Sequence, residues 1–384
     1  MTDTSKCRKR ALLITRNLPP LRGGMERLNQ QLAIVLAEEF DLVLIGPLGC
    51  AEHLPERISV HEVPIAHLSI FLFRALQIAW HLSSQPFDVV IAGSGLTAPA
   101  VVVAAHRAGA KSVAYVHGLD IVASHPIYRA IWRPFLRRLD AALANSTNTA
   151  NLAITAGVAH GNVAVLHPGT ALPDEISPGD FRDRFGLGAG PLLLSVGRLT
   201  QRKGLAEFIT HALPAIISVY PDTKLILIGD EAPNALRKTS TDPAQKLLAS
   251  IRSSGMESHV IRLGVCNDIT LSQAYAAADV HVFPVLHIPD DVEGFGMVAI
   301  EAAAHGLPTV SFDVGGVTDA VCDHVSGYVV KQGDYKALSA AVCRCLLDEP
   351  SPDRVREFAS SFAWSNFAGS LYARLRHVMD GAAF

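Results

Sequence analysis

The sequence is short of cysteine, of charge and of long uninterrupted apolar runs, and each shortage argues against a class of protein. Its six cysteines (Cys7, Cys50, Cys266, Cys322, Cys343, Cys345) form no CxxC pair and fall at no Cys/His ligand spacing. That argues against structural zinc and suits a reducing cytoplasm. Cys343 and Cys345 read as small apolar residues on a helix. Charged residues are 18% of the chain and the net charge is −3, which gives no ground for general nucleic-acid binding. No stretch reaches the length of a membrane span without a charge. The nearest, IAHLSIFLFRALQIAWHL (65–82), is interrupted by Arg74. It reads either as a core helix with an exposed edge or as a helix lying on a bilayer. The apolar stretch in MTDTSKCRKRALLITRNLPP is too short for a secretory signal. The fingerprints GxGxxG and GxxxxGK[ST] are both missing, so neither a nicotinamide dehydrogenase nor a P-loop enzyme is supported.

What is present is apolar sequence in a regular order. With 384 residues, 49% of them hydrophobic, and 29 glycines, the chain can build two domains with sizeable cores. The first half offers buried-strand candidates at 11–15, 41–46, 88–93, 112–117, 141–145 and 163–167. The second half offers 191–197, 224–230, 260–264, 279–284, 308–312 and 327–330. Amphipathic segments such as MERLNQQLAIVLAEE separate them. Continuous apolar runs bounded by turn residues suit parallel strands covered on both faces, so the pattern predicts two doubly wound α/β domains. The boundary falls near HPGTALPDEISPGD (167–180), and FAWSNFAGSLYARLRHVM (362–379) is an amphipathic helix after the last strand.

One stretch raises a chemical question. VEGFGMVAIEAAAHG (292–306) places Glu293 before a Gly-Phe-Gly turn and Glu301 about two turns into an otherwise apolar helix. A carboxylate taken from water costs several kcal/mol unless it is paired. Each glutamate alone could be structural or solvated. Together they could hold hydroxyls at the two ends of one ligand, with phosphate at the glycine turn and helix N-terminus between them. A sugar nucleotide has that layout.

Other candidates stand at strand-to-helix loops, where ligands bind in such sheets. Arg198 and Lys203 lie five apart in GRLTQRKG and are either solvated loop charges or a grip on diphosphate. Gly23 and Gly24 in RGGMERL are either a tight turn or a loop whose amides reach phosphate or acceptor. His117 ends SVAYVH; a lone histidine is more often structural, but its place at a strand end lets it bind a hydroxyl or steady charge.

These motifs are then identifiable as a set. EGFGMVAIEAAAHGLPTV resembles the E-x7-E segment of retaining GT-B glycosyltransferases of family 4, the glycosyl transferases group 1. GRLTQRKG resembles their G-R-x-x-x-x-K-G loop, RGGME their N-terminal glycine-rich loop, VHGLD their His-Gly/Asp region and AYAAADVHVFP their Y-x-x-A-D segment. The resemblance implies two Rossmann-like domains facing across a cleft: an acceptor-side domain over 1–172, a nucleotide-sugar domain over 173–361, and the helix of 362–384 packing back on the first. It further implies that Arg198 and Lys203 neutralise the donor diphosphate, that Glu301 binds the ribose, and that Glu293 binds the transferred sugar with the amides of Phe295, Gly296 and Met297 nearby. Backbone around Val265 would meet the base, Gly23 and Gly24 would border phosphate and acceptor, and His117 would contact the sugar. The implied reaction is hexose transfer with retention and without a metal or other cofactor. Asp290-Asp291 suggests a metal site by composition, but the resemblance gives it no such role. Two departures stand out: the family's Gly-aliphatic-Asp reads Gly169-Thr170-Ala171, and VLHIPDDVEG (285–294) is longer than the usual link.

The implied donor is a nucleoside-diphosphate sugar, GDP-mannose first and a UDP-hexose close behind. HPIYRAIWRPFLRRLD (125–140) mixes Ile127, Ile131, Trp132, Phe135 and Leu136 with Arg129, Arg133, Arg137 and Arg138. It suits either an anionic membrane surface or an ordinary packed helix. With segment 65–82 it points to an enzyme at the cytoplasmic face of a membrane, acting on a sugar or lipid-linked acceptor in cell-surface polysaccharide or glycolipid assembly. The alternatives are a non-catalytic sugar-nucleotide binder and another GT-B enzyme such as an epimerase or phosphorylase, for which no acid/base set or cofactor lysine is apparent.

Overall fold

The computed structural model describes residues 8–65, 67–122, 126–230, 243–347, 350–382 and 384. The chain divides into two compact units, Met1–Gly169 with Trp364–Phe384, and Thr170–Ala363. Each is built on one parallel sheet.

The first unit's seven-stranded sheet contains β1 (Arg10–Ile14), β2 (Asp41–Pro47), β3 (Ser59–Val63), β4 (Val89–Ala92), β5 (Lys111–Val116), β6 (Ala141–Ala144) and β7 (Val163–Val165), in the order β3-β2-β1-β4-β5-β6-β7. Parallel neighbours cannot be joined by a tight turn, so helices cross over between them. Those used below are α1 (Gly24–Glu39), α2 (Leu68–Leu82), α3 (Ala98–Ala108) and α4 (Pro126–Leu136). Helices on both faces explain why VVIA in β4 and AALA in β6 are buried along their whole length. The edge strand β3 is not announced by an apolar run: SVHEV carries His61 and Glu62, both only half-buried, as the less covered edge of a sheet permits. The C-terminal helix, Trp364–Met379, buries Phe367, Leu371, Leu375 and Val378, a stripe spaced four, four and three residues apart, and belongs to this unit. Tyr372 donates to the Val35 carbonyl of α1 at 2.7 Å, and Arg374 donates to the Val165 carbonyl of β7 at 2.6 Å.

The second unit has β8 (Leu192–Val196), β9 (Lys224–Ile228), β10 (Val260–Gly264), β11 (Val280–Phe283), β12 (Thr309–Phe312) and β13 (Gly327–Val330), in the order β10-β9-β8-β11-β12-β13. Its site-bearing helices are α5 (Leu205–His211), α6 (Asp268–Ala277) and α7 (Met297–Ala304). In both sheets the strand order reverses beside the first strand, between β1 and β4 and between β8 and β11. Loops leaving the C-terminal ends of those strands diverge there, the usual ligand position in doubly wound sheets. Among the described residues no helix is long and apolar enough to cross a membrane.

Helix α7 corrects the expectation for Glu301. Gly296 takes φ 102°, a left-handed conformation that favours glycine, and the helix begins only at Met297. Glu301 therefore lies one turn in, not two. It is half-buried, while its neighbours Ile300 and Ala302 are fully buried.

Candidate active site

The GRLTQRKG loop leaves β8, makes one tight 3-10 turn over Gln201–Lys203 and enters α5 after Gly204. A Cβ at Gly204 would overlap the Pro284 carbonyl, and the Leu286 N–H donates to the Arg202 carbonyl at 2.8 Å. The loops after β8 and β11 therefore lie directly on each other. That backbone contact brings two of the expected residues together: Lys203 Nζ is 2.9 Å from Glu293 Oε2. Arg202 Nη1 pairs with the same oxygen, and Arg202 Nε donates to Asp291 Oδ1 at 3.0 Å. Glu293 is also fixed through its backbone, since its carbonyl accepts the Gly316 N–H at 2.9 Å.

Three cations thus gather where two carboxylates wait. Arg198, on the same loop, is exposed and makes no ion pair among the described residues. Burial pulls Lys203 well below the usual lysine range; Arg202 and Arg198 pull it further, while Asp291 and Glu301 oppose them. Burial likewise lowers Arg202, whose guanidinium nonetheless stays protonated. Among the described residues no group of three or more carboxylate, His or Cys side chains is placed to hold a metal. Asp291, which composition alone suggested as a metal ligand, is engaged by Arg202.

Glu301 has a protein partner. The hydroxyl of Tyr275, on α6, donates to Glu301 Oε2 at 3.1 Å. His305 Nδ1 lies 2.8 Å from the Glu301 carbonyl and Nε2 lies 2.9 Å from Ser272 Oγ. A carbonyl only accepts, so Nδ1 carries the proton and Ser272 donates to Nε2. The His305 ring stacks on Tyr275 with centroids 5.1 Å apart. The Gly-Phe-Gly turn behaves as two parts. Phe295 is 2% exposed and packs its ring against Phe362 at 5.8 Å, so its side chain is core. Gly296 and Met297 open α7 with no side-chain cap, leaving first-turn N–H groups of the kind that attract anions. Val265 follows β10, the edge strand two places from β8; the Gly264 carbonyl before it accepts the Gly229 N–H at 2.8 Å, and its side chain is exposed.

The first unit holds the remaining candidates. Gly23 is the N-cap of α1 and Gly24 its first residue. A side chain at Gly23 would overlap the Glu26 carboxylate, which accepts from Asn17 Nδ2 at 2.9 Å. His117 stands just past β5, 5% exposed, with Nε2 2.8 Å from the Gly93 carbonyl. Nε2 therefore carries a proton and donates to that carbonyl, so Nδ1 is the ring nitrogen left for another partner. The loop turns on Asp120, whose Oδ1 accepts the His117 N–H at 2.9 Å and whose Oδ2 accepts the Gly95 N–H at 2.6 Å.

Sequence reasoning missed Arg202 and Tyr275. Arg202 adjoins Lys203, but a second basic residue in a loop carries no signal of burial. Tyr275 lies within AYAAADVHVFP, whose periodicity reads only as helix followed by strand.

Comparison with known proteins follows the same division. The model of the glycosyl transferases group 1 matches residues 180–362, and that of glycosyltransferase family 4 matches residues 22–172. The chain is 30% identical over 329 residues to the D-inositol 3-phosphate glycosyltransferase of Nocardiopsis dassonvillei, covering 79% of this chain and 74% of the relative. It is 28% identical over 352 residues to the GDP-mannose-dependent alpha-(1-6)-phosphatidylinositol monomannoside mannosyltransferase of Mycolicibacterium smegmatis, covering 88% and 89%. Among solved structures, Anabaena HepE in complex with UDP and glucose superposes with a TM-score of 0.78 at 19% identity, covering 96% of this chain and 99% of that one. At that identity the likeness concerns the fold.

Proposed function

The chain belongs to the GT4-type GT-B glycosyltransferases, and from that premise we propose that it transfers a hexose, with retention and without a metal, from a nucleoside-diphosphate sugar to a sugar or lipid-linked acceptor. The observation that carries the donor side is the cluster at the β8/β11 switch point, where Arg198, Arg202 and Lys203 share one loop and Glu293 is held ready beside them. In this reading the donor exchanges partners with the protein. Its diphosphate takes Lys203 and Arg198 and lies near the first turn of α7. Sugar hydroxyls donate to Glu293, which Arg202 continues to hold, and the ribose hydroxyls meet Glu301 beside Tyr275. As the bond from the anomeric carbon to the diphosphate breaks, the acceptor oxygen forms its bond on the same face and passes its proton to the departing phosphate. The cations stabilise the negative charge that develops there. His117 Nδ1 is assigned to a sugar hydroxyl. GDP-mannose is the first donor to try, because one relative is named for it, and a UDP-hexose is the second.

The first test is a thermal shift with GDP, UDP and their sugar conjugates. A nucleotide at about 100 times its dissociation constant adds about 2.7 kcal/mol. We expect this from one base family only, and we expect it to vanish in Glu301→Ala. Turnover unchanged by EDTA is the matching expectation for metal independence. A protein that binds nucleotide but never transfers sugar would favour the non-catalytic alternative.

Membrane contact belongs to the same proposal, and we seat it on α2 rather than on α4. On α4, the Trp132 indole donates to the Leu96 carbonyl at 2.7 Å and stacks on Tyr128; just past its end, Arg137 donates to the Ala156 carbonyl at 3.0 Å. These groups are used in packing. The side chains of Ile127, Arg129 and Ile131 lie outside the described residues. Helix α2 is the better surface. It buries Phe71, Ala75 and Ala79 but exposes Ile70, Phe73 and Trp80, and Arg107 of α3 lies over the Trp80 ring at 4.3 Å. Arg74 and Arg107 beside those side chains suit anionic headgroups over an apolar layer. Sedimentation with anionic phospholipid vesicles should carry the protein down. Phe73→Ser with Trp80→Ser should leave most of it in the supernatant, and a parent protein that never sediments would remove the idea.

A further inference from the structure

Phe283 ends β11 and is 1% exposed, a position that reads at first as plain core. Its ring meets two parts of the donor site and a buried histidine. The Lys203 ammonium lies over one face, 4.4 Å from the centroid. The ring edge meets Gly296 at the mouth of α7, where an added Cβ would come within 2.9 Å of Phe283 Cε1. Beside it lies the ring of His281, nearly parallel at 22° with centroids 5.7 Å apart.

We propose that Phe283 is a positioning residue for sugar transfer, a ring whose face holds the Lys203 ammonium in place for the donor diphosphate. This rests on the donor-site reading above and adds a residue to it. An aromatic face attracts a cation through its quadrupole, and the attraction grows when water is excluded, as it is here. The ring cannot be exchanged for phosphate when the donor arrives, whereas Glu293 can. It therefore keeps Lys203 aimed in the step between releasing one anion and taking the next. His281 supports this by carrying no charge: burial and the neighbouring Lys203 hold it at about 3, so it puts no second cation beside the ring. His281 Nδ1 lies 3.0 Å from Thr309 Oγ1, which fixes the ring plane.

The groups that bear on Lys203 are Arg198 and Arg202 on its own loop, Asp291 and Glu293 from the β11 loop, Glu301 on α7 and His281 on β11. Burial and the two arginines already disfavour the charged lysine. The ring face favours it, so weakening the ring should make Lys203 lose its proton at lower pH. Nucleotide affinity would then fall away at lower pH too.

The test replaces Phe283 by 4-fluoro-, 3,5-difluoro- and 3,4,5-trifluorophenylalanine, which keep the ring's shape while draining its face of negative potential. UDP and GDP are titrated calorimetrically across a pH series that runs downward from the usual lysine range, the direction in which burial moves Lys203. We expect affinity to fall stepwise with fluorination, by about 3- to 30-fold at the trifluoro stage, and the alkaline limb of the profile to move to lower pH. Phe283→Met, which fills the space without a ring, should show the same direction and serves if a fluorinated chain folds poorly. If the unmodified protein binds neither nucleotide, the donor-site reading fails and this assignment falls with it. If it binds one of them and neither affinity nor pH profile responds to fluorination or to Phe283→Met, the role of Phe283 alone is overturned.

Discussion

Lys203→Met is expected to lower kcat by about 10²- to 10³-fold, the scale seen when one group facing transition-state charge is removed from a closed site. The site gives reasons for a large effect. The ammonium is nearly enclosed, so its field is poorly screened, and its partners include an anion and a π-face. Methionine fills similar space, which separates loss of charge from loss of packing. Arg198 offers the contrast. It is exposed, its charge is screened, and Arg198→Met should act mainly through KM. Single-turnover rates for the two variants with saturating donor decide the matter. A Lys203→Met enzyme within about threefold of the parent would mean that the leaving diphosphate is stabilised by something else.

The contrast between these two residues was not legible in the sequence, although both were. Motif spacing marks Arg198 and Lys203 equally, because it records which loop carries them and not which way each turns. The outcome depends on Gly204, whose close approach to Pro284 folds the loop against the β11 segment and draws Lys203 inward. The sheets were easier to read. Runs such as LLLSV and VVIA are apolar on both faces, and only parallel strands beneath two helix layers need that. Strand β3 escaped because an edge strand need not be apolar on both faces. The sequence sets Glu301 a turn too deep because an apolar run does not show that Gly296 caps α7 rather than entering it. Tyr275 and Phe283 escaped for a more general reason. Aromatic residues inside apolar segments look like core, and they are core; their second role depends on partners from other segments.

Arg202→Met should be the most destabilising single change in the site, and its sign rests on what stays behind. Exchanging a whole buried ion pair for apolar residues is often neutral, but removing one partner commonly costs 3–5 kcal/mol because the other charge is stranded. Arg202 leaves two carboxylates. Glu293 keeps Lys203, and Asp291 retains partial contact with water, its side chain being 27% exposed. The low end applies, about 3 kcal/mol, which lowers the unfolding midpoint of a unit this size by about 6–12 °C. Adding Asp291→Asn should recover part of that loss, and the recovery measures the coupling of the pair directly. The double variant should nonetheless turn over poorly at temperatures where it is folded. In the proposed reading, the diphosphate draws Lys203 away and Arg202 is the cation that stays with Glu293, keeping its carboxylate aimed at the sugar. A double variant that regains both stability and kcat would show that Arg202 only ties two loops together. Recovered stability with kcat still depressed would show that the buried arginine serves the reaction as well as the fold.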